Sequence, residues 1–163
     1  LMTMEDTTLQ LLIKQITTIY SSSKLEPFYL EHFTRKARNT KLDESAPEIV
    51  KKVERACNEL GIRNVSRFYK VESDYYEWEL QRRAKLEIDI TAPDYFLKAF
   101  NITLIEHMSP IGMNQKLPII VAKSITELKP PVFYLGAGHV DWKLALPIKN
   151  FIDVTGCLIA DLV

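Results

Sequence analysis

A chain of 163 residues is of single-domain size and can bury one sizeable core. Its 21 basic residues balance 21 acidic ones, so no global field holds a polyanion and contact with nucleic acid must come from a local patch. No apolar run approaches the roughly 18 residues of a membrane span, and the opening "LMTMEDTTLQ" is acidic where a signal peptide is basic. The expected compartment is therefore the cytoplasm, with no membrane partner. Cys57 and Cys157 match no zinc spacing and no C-x-x-C pair, which reads as two free thiols and no metal site.

The first third has helical periodicity. Leu9, Leu12, Ile13, Ile16, Ile19 and Tyr20 recur at three-to-four spacing, and "FYLEHFTRKARN" reads as a second short helix. "SAPEIVKKVERACNELG" is better marked. Ser45 stands as a cap, Pro47 falls in the first turn, Gly61 lies just past the end, and Ile49, Val53, Ala56, Cys57 and Leu60 form one apolar face. "NVSRFYKV" then alternates as a strand, with Val65, Phe68 and Val71 as its apolar set. "SDYYEWELQRRAKL" follows as a helix with Tyr76, Leu80 and Ala84 turned inward. "EIDITAPDYFLKAFN" reads as a short strand and a helix.

From Ile102 the pattern is mostly strand: "ITLIEH", "LPIIVAK", "VFYLGAG" and "DWKLAL". A helix over "PIKNFIDVTG" and a closing strand in "CLIADLV" complete the chain. Helices first, then short strands with few crossovers, is an α+β order.

Three of the five glycines stand at the edges of two apolar runs in this second half. Gly112, in "SPIGM", either permits a positive-φ turn after Pro110 or lets a ligand approach the backbone; Gly136 and Gly138 either form a bulge or expose N–H donors. His107 and His139 lie at strand ends, where imidazoles serve as turn residues or as groups that move protons near neutral pH. His32 reads as an ordinary helix residue. If "HVDWKL" is a strand, His139, Asp141 and Lys143 share one polar face opposite Val140, Trp142 and Leu144. Two basic clusters, Arg35, Lys36, Arg38 and Lys41, and Arg82, Arg83 and Lys85, are either phosphate contacts or solvated faces.

The succession "SPIGM", "LPIIVAKSITEL", "VFYLGAGHVDWKLAL" and "FIDVTGCLIADLV" resembles the YbaK/prolyl-tRNA-synthetase-associated domain family, over about Tyr75 to Val163. "YYEWELQRRAKL" is similar to eukaryotic stand-alone members that carry this domain behind a helical extension. The expected organisation is then a helical extension over 1–64 and an editing domain over 65–163. Its expected fold is a mixed, mostly antiparallel curved sheet with flanking helices.

The resemblance implies a trans-editing hydrolase that deacylates mischarged aminoacyl-tRNA bearing a small amino acid, with no metal and no cofactor. Backbone amides would hold the aminoacyl group, and a water oriented by the terminal ribose hydroxyl would attack the ester. It implies catalytic roles for His139 and Gly112, substrate contacts at Pro110, Gly136, Ala137, Gly138, Lys143 and His107, and tRNA contacts at Arg82, Arg83 and Lys85. The partners would be the aminoacylated 3′ end of tRNA and, through residues 1–64, a protein. One departure stands out. The family's lysine follows a helix ending like "RRAKL", but here that sequence runs straight into "EIDITAP", with Lys85 and Lys98 the nearest lysines. The alternative is a non-catalytic YbaK-like domain that binds tRNA or a protein.

Overall fold

The computed structural model describes Phe33 and residues 35–85, 108–113 and 119–161. In chain order its elements are β1 (Ala37–Asn39), α1 (Glu48–Glu59), a 3₁₀ turn (Arg63–Val65), β2 (Arg67–Val71) and α2 (Tyr75–Lys85). Then come β3 (Ile120–Ala122), a second 3₁₀ turn (Lys123–Glu127), β4 (Val132–Gly136), β5 (Trp142–Pro147), α3 (Ile148–Thr155) and β6 (Leu158–Ala160). Four strands form an antiparallel sheet in the order β1-β2-β5-β4, and β3 pairs with β6 in parallel. This is the expected α+β architecture.

β5 is the axis of the fold. From Trp142 to Leu146 every residue is buried, because both faces of the sheet are covered. Trp142, Leu144 and Leu146 point to one face. There they pack with Val50, Val53 and Cys57 of α1 and Phe151 of α3. Lys143 and Ala145 point to the other face, toward a smaller cluster of Phe33, Ala37, Val71 and Tyr75. Leu144 is fully buried at the centre, and truncation to Ala there is worth about 2–5 kcal/mol.

The expected half-exposed strand starting at His139 is corrected. Residues 138–141 are turn, and the strand begins at Trp142. Alternation of polar and apolar residues mimics a one-sided strand, but α2 and Phe33 close the second face. Phe68 and Val71 also divide between the two faces, as their odd spacing requires.

The termini of α1 are set locally. Gly61, at φ +73, donates to Asn58 O at 3.1 Å, and Ile62 N–H reaches Cys57 O at 3.0 Å, the paired bonds of a left-handed C-terminal cap. Gly156 ends α3 at φ +58. Ser45 is not the cap of α1. Its hydroxyl and N–H both donate to Asp43 Oδ1, at 2.5 and 2.8 Å, while Pro47 occupies the capping position without a side-chain bond. Those two bonds hold the Asp43 carboxyl below its ordinary pKa.

α2 is turned from its expected face. Tyr75 is 1% exposed and Leu80 is 41% exposed, with Tyr76 half-buried. Tyr75 and the half-buried Trp78, three residues apart, make the inward pair. The second expected helix is also cut short, since Ala37–Asn39 pairs with Val71–Tyr69 as the sheet edge. β1 and α1 lie on the extension side of the expected 64/65 division, and both pack into the sheet and core that β5 anchors. The expected strands and helix within 86–107, and the helix of residues 6–20, fall outside the described residues.

Candidate active site

The two glycine-marked loops meet on one helix. Gly112 adopts φ +79 and lies against α1, where an added Cβ would stand 3.1 Å from Ala56 Cβ and 3.5 Å from Val53 Cα. Gly138 adopts φ +94 against the same helix, and a Cβ there would stand 2.6 Å from Ile49 Cγ1. Ile49, Val53 and Ala56 are one face of α1 at i, i+4 and i+7. At 1.5 Å per residue, the contacts fall about 6–10 Å apart along its axis. Glycine is required at both positions by this close approach and by the left-handed backbone.

The loop holding Gly112 is pinned from within. Ile111 is buried in the main core, and Ser109, also buried, donates its hydroxyl to Ile111 O at 2.8 Å while accepting Ile111 N–H at 3.1 Å. Pro110 is half-buried between them. Ala137 is fully buried in the same core.

The turn from Gly136 to Asp141 carries the imidazole. His139 Nδ1 accepts Asp141 N–H at 3.1 Å, and His139 O accepts Trp142 N–H at 3.1 Å, closing the turn into β5. With Nδ1 accepting, Nε2 is the ring's N–H donor toward whatever lies beyond the turn.

Lys143 sits on the opposite face of the sheet from α1. It is 7% exposed. Its strand partners are Tyr69 on β2 and Gly136 on β4. Its ammonium lies 5.7 Å from the ring centroid of Tyr75, within cation–π range. Around it stands an aromatic wall. Phe33 lies 5.4 Å from Tyr69, 4.8 Å from Tyr134 and 6.0 Å from Tyr75, and Tyr75 lies 5.6 Å from Trp78. Burial, with Tyr69 alongside, raises the Tyr134 phenol above its ordinary pKa, so it stays a neutral hydroxyl.

The candidate residues thus fall into two groups joined by one turn. Gly112, Ala137 and Gly138 face α1; Gly136 and Lys143 face the aromatic wall; His139 lies in the turn that links them. Arg82, Arg83 and Lys85 lie in the second half of α2, and His107, Lys98 and His32 are outside the described residues. Among the described residues no group of three His, Cys, Asp or Glu is placed to hold a metal ion. The aromatic wall was not among the sequence candidates. Its signal, "RFYKV", "DYYEW" and "VFYLG" each placing a tyrosine beside a sheet, is visible only once the strands are paired.

The fold defined by these elements is a YbaK-like α+β fold, and solved structures share it. One, described as a candidate trans-editing enzyme for prolyl tRNA synthetase, superimposes with a TM-score of 0.56 at 11% identity, over 72% of this chain and 98% of its own. Another, from work on epitope backbone grafting onto scaffold proteins, gives 0.54 at 12% identity, over 72% and 97%. No family model matches the chain, and no curated protein matches it by sequence. Among the described residues no helix is long and apolar enough to cross a membrane.

Proposed function

We propose that this chain is a trans-editing hydrolase that removes a small amino acid from mischarged tRNA. The observation that carries the reading is the meeting of two glycine loops on one face of α1, at the end of a sheet whose fold is shared with a candidate editing enzyme. Ester hydrolysis by water needs donors aimed at the oxygen that becomes negative in the tetrahedral intermediate. The turn from Gly136 to His139 supplies backbone N–H groups and is held by the bond from Asp141 N–H to His139 Nδ1, and Lys143, buried beside Gly136, supplies positive charge where water is scarce.

In this reading Gly112 and Gly138 act as positioning residues: they seat both loops on α1 so that the backbone of 136–139 keeps its aim. Lys143 takes the role of the lysine that "RRAKL" does not lead into. The attacking water is oriented by the terminal ribose hydroxyl, and the pathway uses no metal. Pocket size sets the choice of amino acid, where one methylene is worth about 1–3 kcal/mol.

A titration tests the substrate class. Adenosine carrying an amide-linked aminoacyl group at its 3′ position would be added while the fluorescence of the two tryptophans is followed. Binding of the alanyl and seryl forms, with rejection of the phenylalanyl form, supports the proposal. Equal binding of all three, or of none, contradicts it.

A further inference from the structure

A cleft on the α1 face opens between the end of β1, the C-terminal half of α1 and the start of β2. It encloses about 260 Å³, just under the ~300 Å³ at which small-molecule pockets begin. Its wall carries Lys41, Arg63 and Arg67 against a single acid, Glu54, and its floor includes Cys57 and Phe68. Each of the three cations is exposed, and none forms an ion pair with another described residue. Lys36, Arg38 and Lys51 contrast with them, since each is paired to a carboxylate.

The guanidinium of Arg67 is held in place. Its Nη1 donates to Asn64 O at 2.8 Å and to Ser66 O at 2.9 Å, which leaves the Nε and Nη2 donors outside these bonds. A guanidinium fixed by main-chain carbonyls loses little freedom when it takes up a planar or tetrahedral oxyanion. An apolar floor beneath a cationic rim suits a phosphate and its adjoining sugar, and the volume is too small to enclose a whole nucleotide cofactor.

We propose that this cleft is a phosphate-binding site, filled by a phosphodiester of an RNA backbone. Naming RNA as the source rests on the editing reading; the phosphate chemistry does not. The cleft lies away from the 136–139 turn in sequence and shares α1 with it: Ile49 is at one end of the helix, Glu54 and Cys57 further along.

The test is equilibrium binding of the full chain, read without hydrolysis. Deacylated tRNA, ATP and inorganic pyrophosphate would each be titrated at several salt concentrations. The variants are Lys41→Ala/Arg63→Ala/Arg67→Ala, the charge-keeping Arg63→Lys/Arg67→Lys, and Glu54→Gln, with circular dichroism on each. The triple variant should lose tRNA affinity about tenfold or more and flatten the log–log salt slope by about 2, since each phosphate contact contributes roughly 0.7–0.9. Glu54→Gln should tighten binding, and the double lysine variant should keep most of the slope.

Binding of pyrophosphate or ATP that the triple variant abolishes, with tRNA unaffected, would keep the phosphate site and overturn its assignment to RNA. Wild-type protein that binds none of these probes overturns the proposal, as do triple and Glu54→Gln variants that bind them unchanged. Intact, cleft-dependent tRNA binding without hydrolysis would overturn the editing reading and leave the cleft standing.

Discussion

Gly138 and Ile49 are in such close apposition that a side-chain carbon at position 138 would lie 2.6 Å from Ile49 Cγ1. That contact ties the turn before β5 to the first half of α1. At φ +94 an L-residue is strained before any overlap is counted, by about 1–3 kcal/mol. Gly138→Ala should therefore destabilise the chain and displace the turn. Trimming the neighbour in Gly138→Ala/Ile49→Ala should recover part of the loss through coupling of about 0.5–3 kcal/mol. Urea denaturation of both variants and of Ile49→Ala completes the cycle; strictly additive losses would show that the two sites do not touch.

Lys143→Met separates charge from packing. Methionine keeps much of the buried stem and removes the ammonium that lies over Tyr75. Folding should survive, because methionine is unbranched and adaptable and brings no charge of its own into the buried site. Hydrolysis should fall about 10²–10³-fold, the usual consequence of removing one group that stabilises an oxyanion. Single-turnover rates set beside thermal melts decide it: loss of rate in step with loss of fold would make Lys143 a structural residue.

His139 should tolerate a substitution that most catalytic bases would not. Its Nδ1 serves as an acceptor for Asp141 N–H. Asparagine places a carbonyl oxygen within similar reach, so His139→Asn should hold the turn, whereas His139→Ala should cost about 1 kcal/mol of stability. Rates measured from pH 5.5 to 8.5 give the readout: activity of His139→Asn within about tenfold of wild type indicates a positioning role. A complete loss at unchanged stability would assign the imidazole to proton transfer.

Part of this arrangement was legible in the sequence. Gly61 and Gly156 announced the ends of α1 and α3 because a left-handed cap is a local requirement, met by one residue. The apolar face of α1 was equally plain from the spacing of Ile49, Val53 and Ala56. What that face meets was not. Gly112 and Gly138 touch it from 56 or more residues away, and no local pattern encodes such a meeting. The burial of Tyr75 and of Lys143 was hidden for a related reason. A lysine in an alternating strand and a tyrosine one place off the helical stripe read as surface until a second layer covers them.

Cys57 offers a check on the core. Burial raises its thiol above the ordinary range, partly offset by a hydrogen bond with Ser66, so at neutral pH it is a protonated, unreactive group. Cys157 is half-exposed. Iodoacetamide at pH 8 should modify Cys157 and spare Cys57 until denaturant is added. A thiol whose folded pKa is raised supports the fold fully below its unfolded pKa, and that support is lost as pH rises through the folded value. Wild-type stability should therefore drop more than that of Cys57→Ala above the ordinary thiol range. Equal alkylation of both thiols in the native protein would mean that the α1 packing described above does not persist in solution.

The most direct test of the account is a deacylation time course with the full chain on Ala-, Ser-, Cys- and Pro-tRNA, with and without EDTA and with Gly112→Ala alongside. The account predicts hydrolysis of one mischarged small-residue species, unchanged by EDTA and strongly reduced in the variant. No hydrolysis of any species by folded protein would contradict it, as would hydrolysis of all four at similar rates.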